Sequence, residues 1–134
     1  MTQTAGLNHL GLAVRDLGET TRFFVECLGW VESGRDDSYP RTAVSDGTLR
    51  LTLWQVDHDL SINAFHRRQN IGLHHLAIEV TSEQRLQELS KRVSSYPGVE
   101  VEFMPEPIGT GPRIHMMFCE PGGIRLELVW PGPG

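Results

Sequence analysis

Apolar and polar positions run along this chain in the same order twice. "LNHLGLAV" (7–14) is a short apolar strand closed by "RD". Asp16 with Glu19 three residues on has the spacing of a capping box, which predicts a helix through "LGETTRFFVECLG". Leu17, Thr20, Phe24, Cys27 and Leu28 form its apolar stripe, and Gly29 is placed to stop it. Three strand-like runs follow, at about 30–35, 41–45 and 48–55, separated by "DDSYP" and "SDG" turns. From Asp57 to Asn70 there is no clean period, which predicts a linker. The pattern then restarts with the strand "LHHLAIEV" and the helix "TSEQRLQELSKRVSSY", opened by Thr81 or Ser82 and ended by "PG". Strands at about 99–104, 113–119 and 123–130 complete it, the last two joined by "EPGG". Each half reads βαβββ.

A duplicated unit should align side chains as well as elements. "HLGLAV" from His9 lies over "HLAIEV" from His75, 66 residues on, and "RLTL" from Arg50 lies over "RLEL" from Arg125, 75 residues on. Loops of unequal length account for the difference. One domain over 1–134 is expected, with module one at about 7–56, a linker at about 57–72 and module two at about 73–131.

Strand alternation then sorts the polar residues. In the first half Leu49, Leu51 and Leu53 oppose Arg50, Thr52 and Trp54; in the second, Ile124, Leu126, Leu128 and Trp130 oppose Arg125, Glu127 and Val129. The leucine faces gain most by packing on helices, so Thr52 and Glu127 look the other way. His9 and His75 fall on that same side, opposite Leu10, Leu12, Val14 and Leu76, Ile78, Val80, whereas His74 points to the helix side or a sheet edge. A lone strand histidine is usually an ordinary polar residue. Two imidazoles and a carboxylate at repeat-related places on one face are instead the ligand set of a divalent metal site with positions left open.

Composition narrows the partners. With 12 Lys and Arg against 17 Asp and Glu the formal net charge is −5, which argues against nucleic acid or an anionic membrane. Short apolar runs and an uncharged N-terminus predict neither a membrane span nor a signal peptide. Cys27 and Cys119 lack a paired spacing and fit a reducing, cytoplasmic setting.

With "NHLGLAVRDLGETTRFFVECLGW" in the first half, and "LHHLAIEV" and "EPGGIRLELVW" in the second, residues 7–131 resemble the vicinal oxygen chelate superfamily. That superfamily includes glyoxalase I, extradiol dioxygenases, fosfomycin-resistance thiol transferases and bleomycin-binding proteins. The resemblance implies an α+β fold, with two βαβββ modules forming a U-shaped mixed sheet, helices on its outer face, and a homodimer. It implies His9, His75 and Glu127 as metal ligands; the fourth glyoxalase position is Thr52, a neutral hydroxyl. That departure moves the set away from glyoxalase I and toward a 2-His-1-carboxylate pattern. The stretch 104–117 has neither Lys nor Tyr, which departs from the fosfomycin transferases.

His115 in "RIHMMFC" enters the same face with Met117 and Cys119 if Ile114, Met116 and Phe118 pack on helices. It is then a catalytic acid or base, or a polar strand residue bonded to a neighbour. Arg50 and Arg125 hold a substrate anion or form rim salt bridges. Thr52, Trp54 and Met117 complete the substrate-binding set, the last two as apolar wall. "FHRR" (65–68) is a loop over the cleft or a solvated linker, and His58 and His66 are surface residues.

The leading functional expectation is a metal-dependent lyase, isomerase or dioxygenase acting on a small oxygen-chelating substrate. Its divalent ion is Fe, Mn, Ni or Zn. The alternative is a metal-free small-molecule-binding protein of the bleomycin-resistance type, which the negative charge suits. A superfamily domain with a vestigial site is a third reading, supported by Thr52.

Overall fold

Asp16 caps its helix as its spacing predicts: its extended backbone leads into the first turn, and its carboxylate accepts the Glu19 amide at 2.8 Å. The computed structural model describes residues 1–134 and divides into two compact units, Met1–Ile62 and Asn63–Gly134.

The first unit holds strand β1 (Leu10–Val14), helix α1 (Leu17–Arg22), and strands β2 (Val31–Asp36), β3 (Arg41–Ser45) and β4 (Arg50–Gln55). The sheet order is β1-β4-β3-β2, with β1 parallel to β4 and the other neighbours antiparallel. Leu12, Val14, Val44, Leu51 and Leu53 are buried, as are Leu17, Phe23, Phe24 and Cys27 on the helix side. Each such large apolar side chain contributes roughly 1.5–3 kcal/mol.

The helix departs from the expected stripe. After Arg22 it widens into a π-helical turn, Phe23–Cys27. The wider turn rotates the later side chains, so Phe23 and Phe24 are both fully buried, ring edge to face at 5.6 Å, while Leu28 is only half-buried. Gly29 ends the helix at φ +75°, the left-handed conformation a stop requires.

The second unit holds β5 (Leu76–Glu79), α2 (Glu83–Ser95), β6 (Glu100–Pro107), β7 (Ile114–Cys119) and β8 (Arg125–Trp130), in the order β5-β8-β7-β6 with β5 parallel to β8. Ser82 is the cap of α2, accepting the Arg85 amide, and Leu86, Ser90 and Val93 are its buried face. Ile78, Met116, Phe118, Leu126 and Leu128 form the sheet's share of the core.

Register confirms the repeat. Leu10 pairs with Leu51 in one unit and Leu76 with Leu126 in the other, the same offsets of 66 and 75 that the sequence alignment predicts. Both first strands are shorter than expected: β1 begins at Leu10 and β5 at Leu76. His9 and His75 therefore each stand immediately before a strand. No helix is long and apolar enough to cross a membrane.

Candidate functional site

Glu127 is central to the second unit's site. Its neighbours Leu126 and Leu128 are buried in the core, so alternation turns Glu127 to the opposite face, beside Ala77 of β5 and Met117 of β7. Two imidazoles meet its carboxylate there. His75 Nε2 is 3.2 Å from Oε1, and His115 Nδ1 is 2.5 Å from Oε2. The carboxylate is buried, while His75 stays a third exposed, so the cluster is open at the His75 end.

His115 pairs with Val129 in the register and shares the face of Met117 and Cys119, as expected. Its ring rests on Phe103 at 4.8 Å. Carboxylate oxygens only accept, so His115 donates through Nδ1, a charge-assisted bond that fixes Glu127.

A second layer surrounds the cluster. Arg125 donates to Glu102 through Nε at 2.6 Å and through a terminal nitrogen at 2.9 Å, and Arg67 approaches the same carboxylate at 3.6 Å. The bidentate Arg125 bond holds Glu102 below the usual carboxylate range, and Glu102 in turn raises Arg125. Of the two sequence readings of Arg125, the salt bridge is therefore present. Arg67, in the expected loop or linker 65–68, joins it.

His74 does not point to the helix side. Its Nδ1 lies 2.8 Å from His75 Nδ1 and 3.3 Å from an Arg125 terminal nitrogen. Because β5 starts only at Leu76, strand alternation does not govern residues 74 and 75, and both imidazoles reach the Arg125–Glu127 face. Partial desolvation, with Arg125 and His75 nearby, lowers the His74 pKa.

Glu102 is absent from the expected site although alternation places it on that face: Glu100 pairs with Cys119, the partner of Arg125, and Glu102 stands two residues on. The β-bulge between Val101 and Phe103 acts on Phe103, setting it opposite Met117 and beside His115.

In the first unit, His9 is exposed and its Nδ1 lies 2.8 Å from the Asn8 side-chain oxygen. That oxygen can only accept, so His9 donates through Nδ1 and keeps the lone pair of Nε2. Asn8 has no signal in the apolar pattern. Thr52 is buried and its hydroxyl oxygen accepts from Trp54 Nε1 at 3.0 Å; a Cβ on Gly11 across the strand pair would lie 3.2 Å from that oxygen. Trp54 also meets the Tyr39 ring edge and the Arg41 guanidinium. Arg50 is exposed. His58 donates through Nε2 to the Arg15 carbonyl at 2.7 Å, a tether for the segment after β4. A cavity of about 450 Å³ lies beside it, lined by Ser38, Tyr39, Pro40, Gln55, Val56, Asp57 and His58.

The cluster can be tested against a metal ion. Two ligand atoms each about 2.0–2.2 Å from an ion lie about 2.8–3.6 Å apart at right-angled to tetrahedral geometry. The 3.2 Å between His75 Nε2 and Glu127 Oε1 falls in that range. No group of three His, Cys, Asp or Glu side chains in the structure is arranged to hold a metal ion, and His115 lies on the other carboxylate oxygen. The pair fits two adjacent ligands.

A family model described as the Glyoxalase/Bleomycin resistance protein/Dioxygenase superfamily matches residues 6–128. Among solved structures, a glyoxylase/bleomycin resistance protein/dioxygenase domain from Frankia sp. EAN1pec is 26% identical, with TM-score 0.83, covering 98% of this chain and 96% of that one. The fosfomycin resistance protein FosX from Listeria monocytogenes is similar at 21% identity and TM-score 0.71, over 96% and 94% of the chains. A mutant of that FosX, in complex with Mn(II) and 1S,2S-dihydroxypropylphosphonic acid, is 21% identical with TM-score 0.75, over 98% and 93%.

Proposed function

Because the chain belongs to the Glyoxalase/Bleomycin resistance protein/Dioxygenase superfamily, we propose that it is a divalent-metal-dependent enzyme acting on a small oxygen-chelating molecule. One observation carries the reading: the Glu127 carboxylate is fixed through Oε2 by His115 and presents Oε1 beside His75 Nε2 at a separation suited to one ion. His75 and Glu127 are the proposed ligands of the second unit. The repeat gives His9 the corresponding role in the first, where Asn8 leaves its Nε2 as the ligating atom. The Mn(II) held by the FosX mutant supports a divalent ion in this fold.

The ion would supply a Lewis acid with open positions for substrate oxygens. The side chains then divide the remaining work. His115 keeps Glu127 oriented and offers Nε2 for proton exchange with the substrate. Met117 and Trp54, each in its own unit, are the proposed apolar walls, and Arg50, which is exposed, is the proposed partner of an anionic substrate group. Thr52 is engaged by Trp54 and carries no charge, so it is not among the proposed ligands. A lyase, isomerase or dioxygenase, cytoplasmic and homodimeric, is the form this reading takes.

The test is metal analysis of protein purified without chelator, wild type beside His75→Ala and Glu127→Ala. Bound divalent metal in wild type, lost in both variants, supports the proposal. Metal-free wild type that gains nothing on Mn(II), Fe(II), Ni(II) or Zn(II) addition overturns it in favour of a metal-free binding protein.

A further inference from the structure

The doubled histidine contains a constraint that the ligand set alone does not use. His74 Nδ1 has two neighbours at hydrogen-bond distance: an Arg125 terminal nitrogen at 3.3 Å and His75 Nδ1 at 2.8 Å. A guanidinium has no acceptor, so toward Arg125 the His74 Nδ1 can only accept. A nitrogen that accepts carries no proton. The bond between the two imidazoles must then run from His75 Nδ1–H to the lone pair of His74 Nδ1. Arg125 is itself held in place, since Glu102 grips it with two bonds at 2.6 and 2.9 Å on its other edge.

We infer that His74 is a positioning residue which, under the orientation of Arg125 and Glu102, keeps the proton of His75 on Nδ1 and so presents Nε2 of His75 toward Glu127 as a ligating atom. This rests on the metal-site reading above. An imidazole ligates through an unprotonated nitrogen, and the partner of the other nitrogen decides which one that is. In water a histidine side chain prefers its proton on Nε2, the wrong tautomer for this site. The relay Glu102, Arg125, His74, His75 reverses that preference. In that tautomer the unprotonated Nε2 lies 3.2 Å from a carboxylate oxygen, an arrangement that only a cation bound between them would make favourable.

The test reads the tautomer directly, in metal-free protein, by long-range proton–nitrogen NMR of the histidine side chains above their titration range. Wild type should show His75 protonated at Nδ1. His74→Leu removes the acceptor and should move the proton to Nε2, with Mn(II) affinity falling roughly 10–100-fold. His74→Asn places an amide oxygen near the lost Nδ1 and should restore both the tautomer and the affinity. A His75 proton on Nε2 in wild type, or a tautomer unchanged in His74→Leu, overturns the inference. The tautomer is measured without metal, so its failure is separate from failure of the metal-site proposal, which is judged by whether wild type binds Mn(II).

Discussion

Glu127 Oε2 accepts from His115 Nδ1 at 2.5 Å, while the other oxygen of the same carboxylate faces His75 Nε2 at 3.2 Å. The side chain is thus restrained at one oxygen and available at the other. A ligand held in this way loses less freedom when an ion binds than a swinging carboxylate would.

His115→Phe keeps the ring and removes the donor. Mn(II) affinity should fall roughly 10–100-fold, and the metal-free protein should melt at a lower temperature because the buried carboxylate loses its donor. Isothermal titration and a melting curve on the same samples check both parts. Unchanged affinity would assign His115 to packing against Phe103 alone.

Acid stability should track Glu102. Its folded pKa is depressed by Arg125, so the native state binds fewer protons than the unfolded chain just below the ordinary carboxylate value, about 4.3. The contribution is complete above that value and is lost as pH falls through the lowered folded one. Glu102→Gln should therefore be less stable than wild type near neutrality, with the gap closing toward low pH. Urea titrations across that range measure it, and a gap that widens on acidification would contradict the assignment.

Core leucines at repeat-equivalent places should cost alike. Leu51 and Leu126 are both fully buried at the same register position of their sheets. Replacing either by Ala should destabilise by about 2–5 kcal/mol in denaturant unfolding.

The helix stop can be tested by Gly29→Ala. The added Cβ meets nothing within 4 Å, so any loss comes from the left-handed backbone at φ +75°. A destabilisation of about 1–2 kcal/mol is expected by urea unfolding.

Where regular alternation held, the sequence was enough. The repeat and the faces of Leu126, Glu127, His115 and Met117 follow from period and from burying the leucine side; the Asp16 cap follows from its spacing, and of Thr81 and Ser82 the second helix uses Ser82. Where the backbone breaks its period, reading failed for a local reason. The π-helical turn at Phe23–Cys27 brought Phe23 into the core against a regular-helix stripe. The bulge between Val101 and Phe103 set Phe103 opposite Met117 and beside His115, a face that unbroken alternation does not give it. The start of β5 at Leu76 left His74 outside strand geometry, so the assumption of opposite faces for 74 and 75 did not apply. Each is a one- or two-residue irregularity without a composition signal, and each lies next to a residue of the core or of the candidate site.

The central claim is that His75 and Glu127 hold a divalent ion. Titration calorimetry of metal-free protein with Mn(II), wild type against Glu127→Gln, tests it most directly, because the amide keeps the side chain's size while removing its charge. Saturable binding in wild type that is lost or weakened at least tenfold in Glu127→Gln is the predicted result. Equal heats in the two proteins, or none in wild type, would contradict it.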